Sequence, residues 1–242
     1  MHLLVRYQAG DCRAVWDELL ARGAGVREPA SLPEAEAVVR ETMTRVRANV
    51  EAVIAGLKIH GFRFGVYPDG EPVPGYAGPL VPPAADVDSR IAELESLVNG
   101  PIPLSLAGFW RYVGAVALVG AHPEWPDPSS ELLSDPLWVE GPEASIAEVR
   151  EKLEDRERED EPLAAVIAPD ALHKDNISGG EPYEIEIPSA SADALLLHEG
   201  NDYYFVEYLR QALDWGGFPG FAGEPDAMPA WLDRLSEKVV RF

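Results

Sequence analysis

The chain of 242 residues carries 20 Lys and Arg against 42 Asp and Glu, a net charge of −22. So acidic a surface repels phosphate backbones, whose binding needs clustered Lys and Arg; nucleic acid and anionic membrane are poor partners, and a basic protein is a good one. Hydrophobic residues make up 46% of the chain, which argues against disorder, and the one cysteine, Cys12, excludes an internal disulfide and a cysteine-built metal centre.

The apolar run at the N-terminus is too short for a signal peptide, and no stretch approaches the ~18 apolar residues of a spanning helix, so a soluble cytoplasmic protein is expected. Asp11 is placed to cap a first helix with Cys12, Val15, Trp16, Leu19 and Leu20 on one stripe, ending at Gly23. Ser31 and Glu34 have capping-box spacing ahead of a longer helix, in which Val39, Met43, Val46, Val50, Val53 and Leu57 recur at steps of four and three as far as Gly61. Phe62, Phe64 and Val66 then alternate as a strand does. From Pro68 to Pro83, prolines and glycines are dense enough to forbid regular structure, marking a boundary.

Beyond it, Asp88 can cap a helix bearing Ile91, Leu94, Leu97 and Val98, and Asn99-Gly100-Pro101 separates this from a second helix with Leu104, Leu106, Phe109, Trp110 and Val113. The apolar runs 115–119 and 137–139 read as a strand pair joined by a turn-rich surface loop. Ser145 and Glu148 again have capping-box spacing, with Ile146, Val149 and Leu153 facing inward before the charged run EDREREDE. Strands are expected at 163–167 and 183–187 with a turn between them, a helix opening at Asp202 and stopping at Gly216-Gly217, and a short helix with Trp231, Leu232 and Leu235. Helices and strands intermix without a βα repeat. The fold class is therefore α+β, a mixed and mostly antiparallel sheet packed with helices: a helical N-terminal extension over 1–67 ending in a strand, a linker at 68–85, and an α+β domain over 86–242.

The chain has no dinucleotide fingerprint, phosphate loop, HExxH, GxSxG or EF-hand loop, which weighs against an enzyme without excluding one. The glycine-rich run 216–223 follows a helix instead of opening one and is a C-cap and turn. His122, His173 and His198 each lie near carboxylates and are the weak candidates for a metal or acid–base site, although carboxylates are common everywhere here. Asn176 begins a turn, and Cys12 falls on an apolar stripe, where a thiol is inert. Trp16, Trp110 and Trp231 fall on apolar helix faces. Trp125 lies in a loop, where an exposed indole would be a binding anchor.

Residues 91–120, IAELESLVNGPIPLSLAGFWRYVGAVALVG, resemble the SUKH superfamily, in which a helix with an I-x-x-L-E start leads to P-x-S-L-x-x-F and then to a glycine followed by a strand. The positions that carry the resemblance are Ile91, Leu94, Glu95, Pro103, Ser105, Leu106, Phe109 and Gly114. It implies an α+β domain with no catalytic residues and no cofactor, of a kind common in bacteria as immunity proteins that neutralise co-encoded toxins. The resulting expectation is a non-enzymatic protein-binding module, an immunity protein that captures a basic toxin or effector. Its surface is expected in the 122–127 loop, through His122, Glu124, Trp125 and Asp127, and in the 154–161 run, through Glu154, Asp155, Glu157, Glu159, Asp160 and Glu161. The alternatives are an enzyme or a small-ligand or metal-binding protein using the histidine-bearing loops, and a structural or regulatory scaffold using the 31–61 helix.

Overall fold

The computed structural model describes residues 2–125, 132–155 and 162–242. Two short helices, α1 (Leu3–Gln8) and α2 (Cys12–Ala21), lead into α3 (Leu32–Ile59), and all six residues of the predicted α3 stripe, Val39 to Leu57, are buried. Burying a side chain of this size contributes on the order of 2 kcal/mol, so α3 is held by its packing more than by its intrinsic helicity. Helices α4 (Val87–Leu97), α5 (Leu104–Tyr112), α6 (Pro142–Glu154), α7 (Ala171–Lys174), α8 (Phe205–Asp214) and α9 (Ala230–Ser236) complete the helical part, and α1, α5, α8 and α9 all pack against α3. Gly108 lets α5 come close to α3, since a Cβ there would lie 2.2 Å from a Val39 methyl. Among the described residues no helix is long and apolar enough to cross a membrane.

The strands are short and their ladders antiparallel. β1 (Arg63–Phe64) pairs with β4 (Gly120–Ala121), and β3 (Ala115–Ala117) pairs with β2 (Leu80–Val81) on one edge and β5 (Trp138–Val139) on the other. β6 (Ala164–Ala168) pairs with β7 (Tyr183–Glu186). The chain is thus α+β, and among the described residues the strands form three small antiparallel sheets where one mixed sheet was expected. β2 lies inside the Pro/Gly-rich stretch predicted to lack regular structure; prolines 79, 82 and 83 flank it and leave the N–H groups of Leu80 and Val81 intact. Gly114, at φ 102°, makes this pairing possible, because a Cβ there would sit 2.1 Å from the Val81 carbonyl oxygen.

Buried residues of α1–α3 and of 91–242 belong to one hydrophobic cluster, so the 68–85 segment runs beside a continuous core. Polar ties reinforce the continuity. The Arg27 guanidinium donates to the carbonyls of Ile102 and Ala190, and the buried Asn49 of α3 both donates to the Val240 carbonyl and accepts from its N–H, each at 2.8 Å.

Several caps differ from their predicted form. Asp11 occupies the N-cap position of α2, but its carboxylate takes two hydrogen bonds from the Arg6 guanidinium in place of a backbone N–H. Glu34 caps not its own helix but α1, accepting from the Leu3 N–H at 2.6 Å, an orphan donor that packing brings to it. Helix α6 starts at Pro142, whose ring presets the helical φ, so Ser145 lies inside the helix and donates to the Val166 carbonyl. The turn expected between β6 and β7 contains α7, with Asp170 as its N-cap.

Helix α8 begins at Phe205, past Asp202, which sits at φ 55°. Its N-terminal donor, the Val206 N–H, bonds Asp193 Oδ2 at 3.0 Å, while Asp193 Oδ1 accepts from the Ser105 hydroxyl of α5 at 2.6 Å. Burial pushes the Asp193 carboxyl up to about 6, with these hydrogen bonds pulling it the other way. Replacing Asp193 by Ala orphans both donors and is expected to cost about 3 kcal/mol in urea melts. The folded carboxyl holds its proton up to about pH 6, whereas an unfolded aspartate releases it near 3.8. Stability from this group therefore falls as pH rises between those values, and the advantage of the wild type over Asp193→Asn should be larger near pH 4 than near pH 7, by roughly 2 kcal/mol.

Candidate functional site

The 122–125 segment is tied inward. His122 Nε2 donates to the His60 carbonyl at 2.8 Å, and Nδ1 accepts the Glu124 N–H at 3.1 Å, so both ring nitrogens are engaged by backbone. The Glu124 carboxylate accepts from the Trp231 indole N–H at 3.0 Å, and Trp231 stacks on His60 at 4.8 Å. Trp125 corrects the expectation of an exposed anchor. It is partly buried, with Phe62, Phe218 and Phe221 packed edge-on against it at centroid distances of 5.3, 4.8 and 5.4 Å. Phe62 comes from the segment between α3 and β1 and the two other rings from the turn after α8, which is why local sequence did not reveal the burial. Asp127 lies outside the described residues, as do Glu157, Glu159, Asp160 and Glu161. Glu154 and Asp155 are exposed at the C-terminal end of α6.

The other histidines occupy different settings. His198, at φ 65°, places Nδ1 2.8 Å from a Glu181 carboxylate oxygen and Nε2 3.8 Å from Glu184 of β7. Burial raises the Glu184 carboxyl, and His198 opposes that shift. His173 belongs to α7, and its Nδ1 donates to the Asp170 carboxylate. Among the described residues no group of three or more His, Cys, Asp or Glu could hold a metal ion.

His173 and Asp170 line a cleft of about 600 Å³ with Trp138, Glu140, Tyr67 and Asn176. Glu140 follows β5, and its backbone is fixed on both sides: its N–H donates to the Ile167 carbonyl at 2.7 Å and its own carbonyl accepts from Trp110 at 2.9 Å. Its carboxylate accepts from the Trp138 indole N–H at 2.7 Å. Burial raises the Glu140 carboxyl above the ordinary range, and the indole donor offsets part of that. Asp170, itself buried, accepts from the Leu172 and His173 N–H groups and from the His173 ring at Nδ1, so that in the neutral imidazole Nε2 is the acceptor. Ser178 also lines the cleft, but among the described residues nothing couples its hydroxyl to His173, so a nucleophile–base pair is not assembled.

Behind this wall lies a buried charge pair. Lys174, fully buried, donates to Asp135 at 2.6 Å and sits 4.4 Å over the Tyr183 ring. Asp175 beside it is pushed up to about 7, chiefly by burial and then by Asp135. Periodicity could not have found this cluster, because Lys174 reads as a surface lysine in a polar turn. No family model, curated protein or solved structure matches the chain.

Two outcomes check these assignments. Trp125→Ala is expected to cost about 2–4 kcal/mol in denaturant melts, against roughly 0.5 kcal/mol or less for an exposed indole. Lys174→Met strands the Asp135 carboxylate and should cost about 3–5 kcal/mol by the same measurement.

Proposed function

We propose that the chain is a non-enzymatic, cytoplasmic protein-binding module that captures a basic protein, of the immunity type implied by the SUKH resemblance at 91–120. The observation that carries this reading is the excess of carboxylates behind the net charge of −22. Several surface arginines are already answered: Arg6 by Asp11 and Glu18, Arg13 by Glu207, Arg90 by Asp86 and Arg150 by Glu93. The surplus negative charge acts outward as a field that speeds encounter with a cationic surface and repels an anionic one. The resembling segment folds in the expected order, with α4, a proline turn, α5, Gly114 and β3, which supports the same reading.

We place the docking surface on the 154–161 run, of which Glu154 and Asp155 are exposed at the C-terminal end of α6 and Glu157, Glu159, Asp160 and Glu161 lie outside the described residues. A scaffold built on α3 is disfavoured, because the stripe that would mediate self-association is spent in the core.

The test is capture by the tagged protein in its host at low salt. A stoichiometric basic protein should be retained and then released at high salt, its association slowing at least roughly tenfold between about 0.05 and 0.5 M salt. Converting the carboxylates of 154–161 to amides should lower the on-rate and flatten the salt dependence while leaving the fold intact. If no basic partner is retained, or the amide variant binds with the same rate and salt dependence, the reading is overturned.

A further inference from the structure

The cleft beside α7 has a one-sided hydrogen-bonding character. Three nitrogen donors of its wall are spent inside the protein: the Trp138 indole N–H on Glu140, His173 Nδ1 on Asp170, and Asn176 Nδ2 on Asp69 at 2.8 Å. What these side chains retain is mainly acceptors, namely the Glu140 carboxylate, Nε2 of the neutral His173 ring and Asn176 Oδ1, beside the second N–H of Asn176 Nδ2. No Lys or Arg is among the described residues lining the cleft, and Glu140 has no cation paired with it among the described residues. An anionic ligand would meet two carboxylates with nothing to answer its charge. A neutral polyol would find few side-chain donors beyond the Tyr67 and Ser178 hydroxyls and one N–H of Asn176. A cation with several N–H donors and no acceptor matches the wall, and the aromatic side chains of Tyr67 and Trp138 attract the same charge. The volume of about 600 Å³ is enough to enclose such a head group together with an aliphatic stem.

We propose that this cleft is a binding site for a primary ammonium or guanidinium group on a short aliphatic chain. Glu140 is the charge partner, His173 Nε2 and Asn176 Oδ1 are further acceptors, and Tyr67 and Trp138 are the aromatic wall. Asp170 positions His173 by holding its tautomer. The site does not depend on the capture of a basic protein, because a free small amine and a Lys or Arg side chain of a partner present the same chemistry.

The probe is agmatine, which carries one guanidinium and one ammonium on a four-carbon chain, titrated by calorimetry into the full chain, with uncharged valeramide as comparator. Saturable one-to-one binding of agmatine is expected, with valeramide at least about tenfold weaker. Glu140→Gln keeps an oxygen for the Trp138 N–H and should weaken agmatine at least about tenfold, whereas Glu151→Gln, on the exposed side of α6, should change it less than about twofold. If circular dichroism shows Glu140→Gln to be unfolded, His173→Gln at the half-exposed position takes its place, with a several-fold loss expected. Non-saturating binding, equal weakening by Glu151→Gln, or equal affinity for valeramide would overturn the proposal, the first two because they mark diffuse attraction to an acidic surface. A competition arm separates the sources. If agmatine displaces a captured basic protein, a partner side chain fills the cleft; if it binds while capture is unaffected, or where no basic protein is captured, the ligand is a free amine and the site stands alone.

Discussion

The burial of α3 is the constraint on which the rest of the molecule depends. Twelve residues of this 28-residue helix are buried, on a strip too wide for any one neighbour to cover. The covering elements come from both ends of the chain: α1 from the N-terminus, α5 and α8 from the middle and the C-terminal third, and α9 from near the end. Helix α3 is therefore the centre of the fold and not an appendage to it. The tie between Asn49 and Val240 has the same basis, because a polar group on a buried helix face must find its partner wherever the chain passes.

A second layer of order comes from buried carboxylates that join elements remote in sequence. Asp193 serves α5 and α8 together, and Asp135 holds the ammonium of Lys174 while that lysine covers the Tyr183 ring. Each is costly to bury alone and is tolerated because its donors are supplied in place. Lys174 is the last residue of α7, so its largely buried pair with Asp135 anchors the helix that carries His173 in the cleft wall.

Acidity then works at two ranges. Over the whole surface the excess of carboxylates sets a long-range field. Within the cleft, the Trp138 indole, His173 Nδ1 and one Asn176 N–H are drawn to neighbouring carboxylates, and an acceptor-rich lining remains. One composition thus accounts for a surface suited to basic partners and for a cavity suited to a cationic head group.

The sequence by itself determined the periodic elements: the stripe of α3, the helices on either side of Asn99-Gly100-Pro101, the β6–β7 pair and the α+β class. These depend on 3.6- and 2-residue spacing, which neighbouring residues encode. The net charge, and the burial of Trp16, Trp110 and Cys12, were legible in the same way. The caps were read less well, because the residue with the right spacing, Asp202 or Ser145, was displaced by one that packing or proline geometry favoured. Only the tertiary structure decided that Trp125 is enclosed by Phe62, Phe218 and Phe221, that Lys174 is buried on Asp135, and that Glu140, Asp170 and His173 share one cleft. Most of those contacts join residues tens of positions apart, and their energy comes from shared exclusion of water and from pairing of charge, neither of which leaves a periodic trace along the chain.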